Sequence, residues 1–251
     1  MLNTKSYLDK LTEKYENKDF IKNDPIQFPH RFKQKEDIEI AGFIASIFAY
    51  GKREVFIQKL NIIFEKMNNK PYDFVRQFNE KSNILDNCDY RFSKGIDLKQ
   101  IVLTLKTLYN NNESLESLFL YGWNKTRTIN GMFQVVTDYF YARTTMPITQ
   151  GFYHLLPNPN KGSACKRLNM FLRWMIRDGY VDLAIWKFIS KSELIIPLDT
   201  HVAKISRKLN LINRQQNDWK TAKELTDKLK EYCPSDPVKY DFAMFGYGVN
   251  N

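Results

Sequence analysis

The sequence predicts an all-α fold, and three observations lead to this prediction. Apolar residues recur at helical spacing through most of the 251 residues. Alternating runs of apolar and polar residues, long enough to form useful β-strands, are absent. Hydrophobic residues make up 43% of the chain and aromatic residues 14%, so a core can form without disulfides or metals. A chain of this length suits one large domain or two smaller lobes.

Seven helices are predicted in the first half of the chain. A stretch rich in proline at 23–30 interrupts the helical pattern, because proline cannot continue a helix. Gly51 ends the second helix, and the next one follows a basic turn, Lys52-Arg53. The expected ranges are 4–17, 37–50, 55–67, 71–78, 98–109, 114–121 and 131–141.

The second half begins with a turn-rich stretch at 157–163 that opens a helix. Ser163 is the expected N-cap of this helix, and Asp178-Gly179 is expected to end it near Arg177. Asp199 is the expected N-cap of a later helix, because Pro197 forces an extended approach to it. The remaining predicted helices are 181–190 (Leu183, Trp186 and Ile189 inward), 200–209 and 218–232, followed by an apolar stretch at 240–247.

The charge balance favours a polyanionic partner. There are 38 Lys and Arg residues against 28 Asp and Glu, which gives a net charge of +10 at pH 7. Each phosphate that a Lys or Arg neutralises releases counterions, so such an excess suits nucleic acid. The alternative is that a lysine-rich composition reflects codon usage alone.

The spacing of the cysteines and histidines gives no reason to expect a metal site, and the function considered below requires no cofactor. Three cysteines and three histidines are scattered, and no Cys-x-x-Cys occurs. Free thiols suit a reducing cytoplasm. The N-terminal residues lack the apolar core of a signal peptide, and no apolar run is long enough to span a bilayer. We therefore expect a cytoplasmic protein without a membrane partner.

The helix expected at 163–177 has two contrasting faces. Its core face carries Leu168, Phe171, Leu172, Met175 and Ile176. The opposite face carries Lys166, Met170, Arg173 and Arg177, which fall within about 60° of one another on a helical projection. Lys166 is thus expected in the first turn, on a cationic face.

The segment that contains Asp199 resembles a known motif. Pro197-Leu-Asp-Thr-His-Val-Ala-Lys-Ile-Ser-Arg-Lys-Leu209 is similar to the Val-Asp-Thr-His-Val-x-Arg-x-x-x-Arg-Leu pattern of the helix-hairpin-helix DNA glycosylase superfamily. In that superfamily the aspartate is the catalytic carboxylate, and bifunctional members place a nucleophilic lysine upstream, at the start of a helix. Lys166 precedes Asp199 by 33 residues. This spacing looks closest to the archaeal 8-oxoguanine DNA glycosylase branch.

Three segments also resemble an uncharacterised bacterial family, domain of unknown function 2400 (DUF2400). They are Ser163 to Arg177, Ile196-Pro-Leu-Asp-Thr-His-Val202 and Asp236-Pro-Val-Lys-Tyr-Asp-Phe242, and residues 39–45 and 49–51 fit as well. This second resemblance covers most of the chain, whereas the likeness to characterised glycosylases is confined to about residues 160–210.

The resemblance implies a DNA glycosylase with AP lyase activity, in which Lys166 and Asp199 are catalytic. Positive charge develops on the sugar as the base departs, and a fixed carboxylate stabilises it. A lysine amine can then attack C1′ and form an imine, from which β-elimination nicks the strand. The attacking amine must be partly neutral. Arg167, Lys161 and the helix N-terminus favour that form, whereas Asp199 opposes it.

Each candidate residue also has a structural interpretation. Asp199 can serve as a helix cap and a catalyst together, and Lys166 can be simply solvated. Arg173 and Arg177 can contact phosphates or pair with acids such as Asp178 and Asp182. For two further residues the structural role is favoured: His201 over a phosphate contact, and Trp174 as core packing over stacking on a flipped base.

The expected DNA contacts surround the turn before Lys166. The stretch 158–163 would replace the glycine-rich hairpin, with backbone N–H groups that bind a phosphate without reading sequence. The full set of predicted DNA-binding residues is Lys161, Gly162, Ser163, Arg167, Arg173, Arg177 and His201.

The resemblance also predicts a two-lobed helical bundle. A central lobe at 36–195 would carry the hairpin substitute and the lysine helix, and the termini, 1–35 and 196–251, would form the other lobe. Lys166 and Asp199 would meet in the cleft between them. The expected partner is damaged or abasic double-stranded DNA, bound by a monomer, with an oxidised purine as a candidate lesion. The alternative is a non-catalytic DNA- or RNA-binding protein that keeps this fold.

Overall fold

The computed structural model describes residues 4–250, and nearly all of its regular structure is helical. Within this range there is no β-strand, and the isolated β-bridges join Tyr90 to Ser93, Ser163 to Asp218 and Asp178 to Leu183. The all-α prediction is therefore confirmed. In chain order the α-helices are α1 (Thr4–Tyr15), α2 (Lys18–Lys22), α3 (Lys35–Phe48), α4 (Arg53–Lys66), α5 (Pro71–Gln77), α6 (Gly95–Asn110), α7 (Leu115–Thr126), α8 (Ile129–Ala142), α9 (Gln150–Leu155), α10 (Lys166–Ile176), α11 (Thr200–Lys208), α12 (Trp219–Lys230) and α13 (Tyr240–Asn250).

The chain divides into two compact units. One, the terminal unit, comprises residues 1–26 and 159–251, and the other, the central unit, comprises residues 27–158. The second boundary lies well before the predicted one at 195/196. As a consequence, Lys166 and Asp199 belong to the same unit and not to two facing lobes.

The central unit is built around α3. Every residue of this helix from Ile38 to Phe48 is buried, as expected for a stretch that is apolar nearly all round. Its one buried acid, Glu39, accepts a hydrogen bond of 2.7 Å from the hydroxyl of Tyr109 on α6. Helices α5 and α7 pack on α3, α6 packs on α5, and α8 packs on α7. Gly51 ends the α3 region with φ +83°, a conformation that favours glycine.

The terminal unit is built around α13. Helices α1 and α11 both pack against it, so the two ends of the chain share one core. The ring of Phe20 lies edge-on to Phe242 at 5.1 Å and to Phe245 at 6.2 Å. Helix α10 is buried from Leu168 to Ile176. This arrangement brings the N-termini of α10, α11 and α13 into one unit.

The prediction of a helix at 181–190 is wrong. After α10 the chain is irregular, and several of its backbone N–H groups donate to carbonyls at the end of that helix. The N–H of Leu183 donates to the carbonyl of Trp174 at 2.8 Å, and that of Trp186 donates to Met175 at 2.8 Å. Trp186 and Ile189 are buried as expected, whereas Leu183 is half-buried. Tertiary hydrogen bonds therefore replace the local helical ones that the apolar spacing suggested.

Among the described residues, none of the helices combines the length and the apolar character needed to cross a bilayer.

Candidate active site

Lys166 lies in the first turn of α10, as predicted; it is the first residue of the helix and is half-buried. The N-cap, however, is Cys165 and not Ser163. Cys165 adopts a left-handed conformation with φ 47°, and its N–H donates to Ser163 Oγ at 3.1 Å. Ser163 therefore accepts a hydrogen bond within the turn that precedes the helix and does not cap the helix itself. This turn directs the chain into α10 so that Lys166 lies at its positive end.

The loop before α10 is fixed to α12. The carbonyl of Gly162 accepts a hydrogen bond of 3.2 Å from the N–H of Trp219, and Ser163 forms a β-bridge with Asp218. Gly162 has φ +81°, which favours glycine. Lys161 and Gly162 in this loop are exposed.

Asp199 caps α11, as predicted. Its Oδ1 accepts a hydrogen bond of 2.8 Å from the N–H of Val202, while the residue stays half-buried. The preceding segment is anchored in the core, because the N–H of Ile196 donates to Thr226 Oγ1 at 3.0 Å and Pro197 is buried. One carboxylate oxygen is therefore used by the helix, and the side chain is held in a fixed orientation.

Asp241, in the first turn of α13, is the site residue that sequence reasoning missed. It is buried and forms an ion pair with Arg173. Burial raises the pKa of Asp241 to about 7; Arg173 and Lys166 counteract this rise, whereas Asp199 and Asp182 add to it. The charges of Lys166 and Asp199 therefore act on the pKa of Asp241 in opposite directions. The signal in the sequence was the segment Asp236 to Phe242, which contributed to a family resemblance but received no role.

The assignment of Arg173 and Arg177 to DNA contact is wrong. Their side chains are only 3% and 4% exposed, because the face of α10 that carries them packs inside the terminal unit. Both pair with Asp182, at 3.2 Å from Arg173 Nε and 2.9 Å from Arg177 Nη1. The alternative prediction, pairing with acids, is confirmed for Asp182. Asp178 instead pairs with Lys191.

Arg177 completes a buried ionic cluster. Its guanidinium pairs with Glu16, which follows the end of α1, and with Asp236, with an Nε to Oδ2 distance of 3.0 Å for the latter. The guanidinium groups of Arg173 and Arg177 lie 4.4 and 5.3 Å from the centre of the Phe242 ring. Two arginines therefore hold four carboxylates and one aromatic ring, joining α1, α10 and α13. We call this set (Glu16, Arg173, Arg177, Asp182, Asp236 and Asp241) the buried ionic cluster.

Trp174 is fully buried, which supports core packing and removes it as a stacking partner for a flipped base. His201 is exposed, and its Nδ1 lies 2.9 Å from the carbonyl oxygen of Gly248. This contact ties the start of α11 to the end of α13, in agreement with the structural role favoured for His201.

Cys165, next to Lys166, is a poor nucleophile. It is buried, and burial raises the pKa of its thiol to about 11, so the thiolate is scarce at neutral pH. Within residues 4–250, no three His, Cys, Asp or Glu side chains are grouped so as to hold a metal ion.

The comparisons with known proteins agree with one of the two resemblances. The family model described as "Protein of unknown function (DUF2400)" matches residues 24–250. The chain belongs to the DUF2400 family. No curated protein and no solved structure matches it. The matched region of this DUF2400 protein contains Lys166, Asp199 and Asp241, together with all of the buried ionic cluster except Glu16.

Proposed function

We propose that this DUF2400 protein is a DNA glycosylase with AP lyase activity that acts on damaged double-stranded DNA, with Lys166 as the nucleophile and Asp199 as the assisting carboxylate. One observation carries the proposal. Lys166 and Asp199 begin two different helices of one compact unit, and the charges of both act on the pKa of the same buried carboxyl group, Asp241. A lysine and a capping aspartate in this relation match the residue types and order of the helix-hairpin-helix glycosylases.

The chemistry assigns separate tasks to the two residues. As the bond between C1′ and the base breaks, the base leaves with the bonding electrons and positive charge develops on the sugar. The Asp199 carboxylate, held by Val202, stabilises this charge without having to reorient. The amine of Lys166 forms a bond to C1′, and loss of its proton with opening of the sugar ring gives an imine. Loss of a C2′ proton then expels the 3′ phosphate and cleaves the strand.

The residues around these two groups suit a DNA backbone. Lys161 and Gly162 are exposed in the loop before α10, and Ser163 and Arg167 are half-buried beside it. Backbone N–H groups at a helix start and nearby cations bind phosphate without reading sequence. These four residues remain our proposed DNA contacts. An oxidised purine is the proposed lesion.

Borohydride trapping on a duplex with an abasic site tests the lyase step. The wild-type protein is expected to form a covalent complex, and Lys166→Ala is expected to abolish it. Lys204→Ala is the matched control, because Lys204 is exposed on α11 and outside the site. An undiminished complex with Lys166→Ala would refute the nucleophile assignment. Absence of a complex with the wild type would favour a non-catalytic nucleic-acid-binding protein.

Asp199→Asn separates catalysis from capping. Asparagine caps helices as well as aspartate, so the fold is retained while the charge is lost. Release of a damaged base should slow by a factor of about 10² to 10³ in a panel of lesion duplexes that includes oxidised purines. Trapping on a preformed abasic site should persist, because the base has already left. Equal loss in both assays would contradict the division of tasks.

A further inference from the structure

A tight turn in the central unit presents an exposed phenylalanine on a rigid support. Tyr90 and Ser93 exchange two backbone hydrogen bonds, of 2.8 and 2.9 Å, across the two-residue turn Arg91-Phe92. Arg91 adopts a left-handed conformation with φ 52°. Phe92 at the tip is 60% exposed, and its ring lies edge-on to His154 at 5.1 Å. We call residues 90–93 the aromatic turn.

The aromatic turn is locked to the turn that follows α3. The hydroxyl of Tyr50 donates to the carbonyl of Tyr90 at 2.7 Å, and the hydroxyl of Tyr90 donates back to the carbonyl of Tyr50. Their rings lie 4.8 Å apart. Gly51 has φ +83°, a conformation that favours glycine, and a Cβ there would stand 2.6 Å from Arg91 Nη1 and 2.7 Å from the Tyr90 hydroxyl, so the two turns meet closely at this residue. Phe92 is therefore held in place before any partner arrives.

The charges around the aromatic turn favour a polyanion. The guanidinium of Arg91 is exposed and lies 5.6 Å from the centre of the Phe92 ring, and Lys52 is exposed next to Gly51, which packs against Arg91. Lys94 pairs with Asp89, and Asp86 and Glu54 are further exposed acids in the flanking sequence. A protein partner would require a contiguous apolar patch, whereas the exposed residues that flank Phe92 in the chain, Arg91 and Lys94, are charged. Aromatic rings flanked by cations are the recurring surface for unstacked nucleic-acid bases.

We infer that the aromatic turn binds single-stranded nucleic acid, with a base stacked on Phe92 and the neighbouring phosphates held by Arg91 and Lys52. Preorganisation by Tyr50, Tyr90 and Gly51 means that little conformational entropy is lost on binding. The inference does not depend on the proposed lyase chemistry, because it concerns residues of the central unit and needs no lesion.

Fluorescence anisotropy with an undamaged single-stranded oligothymidylate tests this. Phe92→Ala should weaken binding by about fivefold or more, the effect typical of losing one stacked base. Tyr121→Ala is the matched control, because Tyr121 is 59% exposed on α7 of the same unit and has Lys125 6.0 Å from its ring. That variant should bind like the wild type. Equal affinity for Phe92→Ala and the wild type, or an equal loss in both variants, would overturn the inference.

Two further measurements distinguish stacking from a structural effect. Phe92→Trp should retain binding, and its added indole fluorescence should be quenched by the oligonucleotide, beyond any change in the wild-type signal. Lys52→Ala should reduce the slope of log affinity against log salt by about 0.7, the value for one phosphate contact on a single strand. An unquenched indole or an unchanged slope would count against the assigned contacts.

Discussion

The pH dependence of stability should reveal the unusual environment of Asp241. Burial raises the pKa of this carboxyl group from its usual 3.8 to about 7, so the folded protein retains a proton that the unfolded chain has already released. Raising the pH through this window therefore favours unfolding. Each pKa unit corresponds to about 1.4 kcal/mol, so the shift of roughly three units corresponds to a penalty of about 4 kcal/mol above pH 7. Between pH 5 and pH 8, ionisation of Asp241 should lower the free energy of unfolding of the wild type by about 3 kcal/mol.

Asp241→Asn removes this titration while keeping the shape of the side chain. Urea unfolding of the wild type and the variant at several pH values gives the difference between their free energies of unfolding. Because every other group titrates in both proteins, the difference isolates Asp241. The variant should gain about 3 kcal/mol relative to the wild type between pH 5 and pH 8, whatever the absolute cost of weakening the contact with Arg173. A difference that stays flat, or that moves in the opposite direction, would refute the reasoning.

Three other perturbations test the surrounding structure. Arg177→Met leaves Glu16, Asp182 and Asp236 without their shared cation. It should lower the free energy of unfolding by about 3–5 kcal/mol in urea, whereas Arg143→Met, at an exposed position, should cost less than about 1 kcal/mol. Asp199→Ala should cost about 1 kcal/mol through loss of the α11 cap and Asp199→Asn only a few tenths; equal costs would contradict the capping role. Ellman's reagent should label half-buried Cys233 readily in the native protein, and the buried Cys88 and Cys165 only after unfolding; rapid native labelling of Cys165 would contradict its raised pKa.

Local signals predicted most helices to within a few residues. The buried helix α3, the glycine after it and the aspartate cap of α11 all follow from apolar spacing and from the side chains preferred at helix ends. The segment 181–190 did not follow, because its backbone hydrogen bonds go to carbonyls of α10. The spacing of Leu183, Trp186 and Ile189 indicated that these side chains face the core. It did not determine the conformation of the backbone that carries them.

In the candidate site, too, some features could be predicted from local sequence and others depended on tertiary contacts. The positions of Lys166 and Asp199 at helix starts were predictable, because each depends on a few neighbouring residues. The environment of Arg173 was not, because its partner Asp241 lies 68 residues further along the chain. Helical periodicity predicted which side chains share a face of α10, but only tertiary packing decides whether that face meets water or the carboxylates of another helix.

The buried ionic cluster is difficult to explain as a device for stability alone. It contains two arginines and four carboxylates inside a chain whose net charge is +10. Replacing buried ion pairs by apolar residues is often neutral or stabilising, so stability does not require them. The cluster does, however, fix the position of Asp241, whose pKa the charges of Lys166 and Asp199 shift in opposite directions. Strongly shifted groups of this kind concentrate at functional sites. We therefore propose that the protein keeps the buried ionic cluster because it fixes Asp241 at the proposed site, and not because it stabilises the fold.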